Sequence, residues 1–308
     1  MRHLLKSFPP IRYLLTIRDI VAEIRAHARE RSHVDKELFR IQLLATPRYA
    51  SDPRRLNHFE AQVFSQNGED GVIAEIFRRI GEADRTFVEC GVGNGLVNNT
   101  TYLLQKGWRG AWFEANEASA VAIRRTFRQP LEDGQLTLAR QRLTMENAAQ
   151  AFRAAGVPRE FDLLSIDIDR NTPFLWKGLA AFRPRVVVAE YNASFPPSDA
   201  WTVEYAEDGD WNRTLYFGGS LKALEQLGAE LGYALVGCET TGVNAFFVRS
   251  DLVGTSFSEP FTAEHHYEPP RYYLVRTWGH PRCFTDRPPR QGRNYPLPTA
   301  GRRSLTAT

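Results

Sequence analysis

Residues 86–90 (Thr86, Phe87, Val88, Glu89, Cys90) form a short, largely apolar run of β-prone residues, and Gly91, Gly93 and Gly95 follow at once. A buried strand feeding directly into a glycine-rich turn lets a ligand approach the backbone closely, because no Cβ atoms stand in the way. Gly107 to Glu114 reads as the next strand and ends on a carboxylate. An acid at the tip of a second strand, roughly twenty residues past the turn, can accept both hydroxyl hydrogens of a ribose. Strand, turn and acid together describe a nucleoside-binding pocket, and so a cofactor enzyme.

The glycine spacing discriminates between nucleosides. Dinucleotide folds favour G-x-G-x-x-G, with the third glycine packing helix on strand and the helix N-terminus facing a pyrophosphate. This chain has G-x-G-x-G at 91, 93 and 95. With Glu89 before it, the stretch resembles the first motif of the class I methyltransferases, E/D-x-G-x-G-x-G, whose cofactor is S-adenosylmethionine. The resemblance implies that Glu89, Gly91, Gly93 and Gly95 lie on the cofactor side, Glu89 near its methionine or ribose, and that Glu114 binds the ribose.

From residue 61 onward helices and strands alternate. The pattern predicts helices over 66–80, 97–106, 117–128, 146–155, 173–181 and 219–231, and strands over 86–90, 110–114, 135–140, 161–167, 185–190, 233–238 and 244–249. Alternation with apolar strands implies an α/β fold with a doubly wound, mostly parallel sheet. The short 239–243 connection makes the last two strands an antiparallel hairpin. A Rossmann-like seven-stranded sheet ending in such a hairpin is also what the methyltransferase resemblance implies. Helical periodicity over 11–29 and 34–45 defines an N-terminal extension, 1–60, expected to pack on the main domain or on a second copy of the chain. The main domain spans 61–250, an extension packed on it 251–283, and a basic, disordered tail 284–308.

Charge is unevenly divided. Residues 1–60 carry twelve Lys and Arg against seven acids, and 284–308 five Arg against one Asp, leaving 22 bases and 28 acids between them. An acidic centre is a poor footprint for a nucleic-acid enzyme, so no nucleic-acid partner is expected. Cys90, Cys238 and Cys283 are far apart, with no C-x-x-C pair for zinc or redox chemistry. Lys6, Pro9, Pro10 and Arg12 interrupt any early apolar run, so neither a signal segment nor a membrane span is expected. A reduced, cytoplasmic protein follows.

In an open α/β sheet, ligands gather at the carboxyl ends of the strands. Asp167 and Asp169 follow the fourth strand, and Glu190 and Asn192 the fifth; if these ends are neighbours, Asp169, Glu190 and Asn192 meet around one point. One reading is a Mg²⁺ site formed by these three, since oxygen ligands suit that ion. The other makes Asp169 a general base for an acceptor hydroxyl. The structural alternative has Asp167 capping a helix and Glu190 pairing with an arginine. Ser65 with Glu69 offers capping chemistry for the first helix of the main domain.

Ser65-Gln66-Asn67-Gly68-Glu69-Asp70 is also similar to a stretch of the FkbM-like methyltransferases, as are Asn98 to Tyr102, Ser165 to Asp169, Glu190 to Asn192 and Tyr216 to Ser220. The resemblance covers roughly 62–250 and implies a small-molecule or glycan acceptor methylated on a hydroxyl, with Gln66 and Asp167 on the cofactor side. One departure stands out. The family continues past the fourth strand as Asp-Gly-Asn-Asp/Glu, where this chain has Asp169-Arg170-Asn171-Thr172. Arg170 points either to an anionic acceptor or to an altered site, and a non-catalytic binding protein stays open beside a nicotinamide-dependent oxidoreductase. Aromatics among acids over 195–217 suit a lid above a sugar, and equally a core seal. His265 and His266 are candidate bases from the C-terminal extension.

Overall fold

The computed structural model describes residues 19–24 and 34–272, and the chain divides between Ser51 and Asp52 into two compact units. In the first unit, residues 19–24 and 34–44 are helical and Pro47–Ala50 adds a short turn of helix. Ile20, Ile24, Val34, Leu38 and Ile41 are exposed there. The rest of the helix expected over 11–29, the basic tail and Cys283 lie outside the described residues.

The second unit is built on one seven-stranded sheet: β1 (Thr86–Cys90), β2 (Arg109–Glu114), β3 (Leu136–Arg140), β4 (Glu160–Ile166), β5 (Arg183–Glu190), β6 (Tyr233–Cys238) and β7 (Asn244–Arg249). Their order is β3-β2-β1-β4-β5-β7-β6, with β1 to β5 all parallel. β7 runs antiparallel between β5 and β6, so the last strand of the hairpin, not the first, joins the parallel set.

Alternation along the strands divides the core in two, because successive side chains leave opposite faces of a sheet. Val88, Cys90, Ala111, Phe113, Leu164, Ile166, Val187 and Ala189 pack on one face. Phe87, Trp112, Leu163, Val186 and Val188 pack on the other. Both faces are covered, which is why these strands read as continuous apolar runs. Cys90 and Cys238 are free and buried, and burial pushes the Cys90 thiol well up. Among the described residues no helix is long and apolar enough to cross a membrane.

The helix predicted from 66 begins at Glu69 and runs to Ile80, with acids in its first turn and arginines in its last, as the helix dipole favours. Its entry differs from the expected cap. Ser65 Oγ accepts the Asp70 amide at 3.0 Å, and Asp70 Oδ2 accepts the amides of Val63, Phe64 and Ser65 and the Ser65 hydroxyl. Glu69 instead takes the Asn67 amide and the side-chain amides of Asn67 and Asn244. The helix expected over 97–106 shrinks to Thr101–Gln105, for a reason that lies in Glu89. Residues 52–60 pack within this second unit: the Asn57 amide donates to Cys238 O, and Glu60 accepts from the Thr240 amide and hydroxyl. The C-terminal segment does likewise, Tyr191 donating to Glu268 O and Tyr267 to Ala193 O.

Candidate active site

The parallel sheet brings the carboxyl ends of β1, β2, β3, β4 and β5 to one edge, and a cavity of about 500 Å³ opens there. That volume suits a nucleoside-sized ligand. The glycine turn lines the cavity through Gly91 and Gly93. Gly91 adopts φ +83°, and a Cβ on it would sit 1.7 Å from Asp167 O, so only glycine lets β1 pass this close to β4. Gly93, at φ +61°, has open space where its Cβ would be and lines the cavity. Gly95 does not line it; a Cβ there would strike the rings of Phe127 and Trp112, so this glycine serves packing beneath the turn.

Glu114, nearly buried at the end of β2, faces the cavity. Its Oε2 accepts the Gly93 amide at 2.7 Å and its Oε1 the Asn116 amide at 2.7 Å. Turn and carboxylate thus form one hydrogen-bonded unit. Glu89, two residues before the first glycine of the turn, is the other acid of this region. It does not line the cavity and is 1% exposed. Its oxygens accept the Asn98 side-chain amide, the amides of Asn99 and Thr100, the Thr100 hydroxyl at 2.5 Å and, more distantly, Ser165 Oγ. Residues 97–100 therefore wrap around a carboxylate instead of extending the helix. Burial raises the Glu89 carboxyl to about 7 against these hydrogen bonds. The Asn99 and Thr100 amides, just ahead of this helix, are thus directed to Glu89.

The ends of β4 and β5 bring three acids to the same cavity. Asp167, Asp169 and Glu190 place carboxylate oxygens within 4.8 Å of one another. Asn192 is not among them. It is fully buried, donates to Leu215 O and Phe217 O and accepts the Ser194 amide, so it anchors the chain after β5. Asp167 is the third member in its place. Asp169 has φ +56°, a left-handed conformation that aspartate tolerates better than most residues. Burial raises the Asp169 carboxyl, and Asp210 adds to it. Burial also lifts Asp167 to about 7, with Asp169, Glu89 and Glu69 adding repulsion, and drives Glu190 well up. Glu190 Oε2 is buried without a hydrogen-bond partner. Neither Asp167 as a helix cap nor Glu190 as an arginine's partner is seen.

Gln66 lines the cavity beside Asn67. The walls also include residues that sequence reasoning passed over. Gln141, Arg142 and Leu143 follow β3, Gly209, Asp210 and Trp211 come from the long 195–217 segment, and Tyr272 from the C-terminal extension. The 141–143 stretch was findable by reading the end of β3 as the ends of β4 and β5 were read; Tyr272 had no local signal. Arg170 does not line the cavity, nor do His265 and His266. His265 lies instead against Arg55 and Ser258.

These raised carboxyls set the sign of the pH dependence. Asp167 binds its proton more tightly folded than unfolded, so its contribution is complete below its unfolded pKa near 4 and is lost as pH rises through about 7. Glu89 and Glu239, also raised to about 7 by burial, act in the same direction. The unfolding free energy from urea titrations is therefore expected to fall between pH 5 and pH 8, and Asp167→Asn to flatten part of that slope. A stability that rises over this interval would contradict the assignment.

No protein-family model matches the chain, and no curated protein does. Solved structures do. A protein from Klebsiella pneumoniae, provisionally named an O-methyltransferase, is 20% identical, with 70% of this chain and 94% of that chain covered and a TM-score of 0.40. An S-adenosylmethionine-dependent methyltransferase from Clostridium acetobutylicum is 12% identical, covering 57% and 88%, with a TM-score of 0.37. An O-methyltransferase from Bacillus cereus, solved with S-adenosylhomocysteine, is 17% identical, covering 52% and 67%, with a TM-score of 0.33. Scores of this size do not place the chain in any one family.

Proposed function

We propose that the protein is an S-adenosylmethionine-dependent methyltransferase of the FkbM-like kind, acting on a hydroxyl oxygen of a small molecule or glycan. The observation that carries this reading is a single cavity lined both by the Gly93–Glu114 unit and by three carboxylates. The residues fit the cofactor: Gly93 leaves space against the backbone, Glu114 offers acceptor oxygens to a ribose, and acids suit a cationic ligand. The G-x-G-x-G spacing of the turn, in place of G-x-G-x-x-G, weighs against a dinucleotide.

When bound, the cofactor supplies a methyl group already activated on sulfur, whose C–S bond breaks as the acceptor oxygen bonds to it. The protein has two tasks left, alignment and one proton. Asp169 is the proposed base for the acceptor hydroxyl proton, its carboxyl raised by burial and by Asp210. Asp167 and Glu190 shape the acid pocket beside it. The buried, unpartnered Glu190 Oε2 and the spacing of the three carboxylates also fit a hard divalent cation such as Mg²⁺, which Asp167, Asp169 and Glu190 would hold in place of the set including Asn192. Such an ion would lower the pKa of the acceptor hydroxyl.

Titration calorimetry tests the reading. S-adenosylhomocysteine is expected to bind and NADH not to; the reverse would replace the methyltransferase by an oxidoreductase. Asp169→Asn is expected to lower kcat by about a hundredfold, leaving S-adenosylhomocysteine affinity close to wild type. Repeating the titration with and without Mg²⁺ decides the ion.

A further inference from the structure

Arg170 stands where the FkbM-like pattern has a small residue, directly after the proposed base, yet its side chain leaves the cavity. Arg170 Nη2 donates to Glu204 O at 2.9 Å, and its guanidinium lies 5.2 Å from the centroid of the Tyr216 ring. Its backbone oxygen accepts the Gly218 amide at 3.1 Å. Next to it, the Asn171 side-chain amide donates to Ala206 O at 2.8 Å. Both limbs of the 204–218 segment thus hang from residues 170 and 171. Between those limbs, Gly209 packs on the arginine stem: a Cβ at 209 would lie 2.7 Å from Arg170 Nε and 2.8 Å from its Cδ. The stem is held at its far end by Glu204 and Tyr216, so it cannot simply swing aside. The residues that follow, Asp210 and Trp211, form cavity wall, and Asp210 reaches across to Arg142 after β3 at 2.5 Å.

We propose that Arg170 is a positioning residue that fixes the 204–211 segment as a wall of the cavity, and that position 209 is glycine to admit the arginine stem. The guanidinium is tied to this segment through Nη2 and the Tyr216 ring, while its buried Nε has no hydrogen-bond partner. Its part in methyl transfer rests on the function proposed above; its part in building the wall does not.

A double-mutant cycle tests the coupling in the full-length protein. Arg170→Gly and Gly209→Ala are each expected to weaken S-adenosylhomocysteine binding by about tenfold and to speed tryptic cleavage after Arg213, with circular dichroism confirming the fold. The double variant is expected to lose less than the two single effects combined, because the clash with Arg170 is then gone and only the 2.9 Å approach to the Ala206 Cβ remains. Arg170→Lys, lacking the planar fork, is not expected to restore the wall. Additive effects in the double variant, or a Gly209→Ala protein that behaves as wild type, would overturn the proposal. Should the arginine-to-glycine variant fail to fold, Gly209→Ala and Arg170→Lys still decide it. If the wild-type protein binds no S-adenosylhomocysteine, the methyltransferase reading falls, while the cleavage cycle continues to report on the wall.

Discussion

Replacing Glu114 by alanine is expected to weaken S-adenosylhomocysteine binding by at least about a hundredfold in titration calorimetry. The carboxylate does two jobs that alanine cannot share. It holds the glycine turn, accepting the Gly93 and Asn116 amides at 2.7 Å each, and it presents oxygen to the cavity where a ribose would donate its hydroxyls. Hydrogen bonds to a charged partner are worth about 1.5–3 kcal/mol each, so losing the ligand's pair alone reaches the stated effect. Glu114→Gln keeps the shape and one acceptor oxygen and should fall between. Affinity unchanged by the alanine substitution would remove the ribose assignment and with it much of the proposed function.

Glu89→Ala is expected to cost about 4 kcal/mol or more of unfolding free energy, the largest single effect on stability foreseen for this protein. The Asn98 side-chain amide, the Asn99 and Thr100 amides and the Thr100 hydroxyl would lose their acceptor in a region closed to water. Each unsatisfied buried donor costs about 1–3 kcal/mol. The damage would spread to Trp112, whose Nε1 donates to Thr100 Oγ1 at 2.8 Å and whose ring meets Phe127 edge-on. Glu89→Gln should be milder, because one carbonyl oxygen survives, although its amide group then faces other donors. Urea denaturation measures both, and an alanine penalty below about 1 kcal/mol would show that residues 97–100 do not depend on this carboxylate.

The contrast between these two acids shows how far local sequence can be read. Both are glutamates in adjacent strands, and both were assigned to the cofactor by resemblance. Glu114 is the last residue of its strand and emerges at the edge of the sheet, where ligands collect. Glu89 lies one residue further in, on the same face as Phe87, and its register beside Trp112 and Ser165 buries it beneath the turn. Asn192 shows the same dependence on distant contacts. Its position just past β5 suggested a site, but the amide is drawn back to carry Leu215 and Phe217, a contact made over more than twenty residues of chain. Arg170 likewise follows the acid cluster in sequence, while its side chain turns to the 204–218 segment.

Apolar periodicity and the glycine positions were enough to determine the seven strands, their buried character and the parallel α/β class, because each depends on which side chains fall on which face within a few residues. The strand and the later acid also placed Glu114, since a strand end in such a sheet leads to the ligand edge. Tertiary structure alone decided the rest: β7 lying between β5 and β6, Asp167 completing the acid cluster, and Tyr272 and Trp211 forming walls from distant segments. Those outcomes depend on contacts between residues far apart in the chain, where the competition among hydrogen-bond partners is settled only after the sheet has assembled.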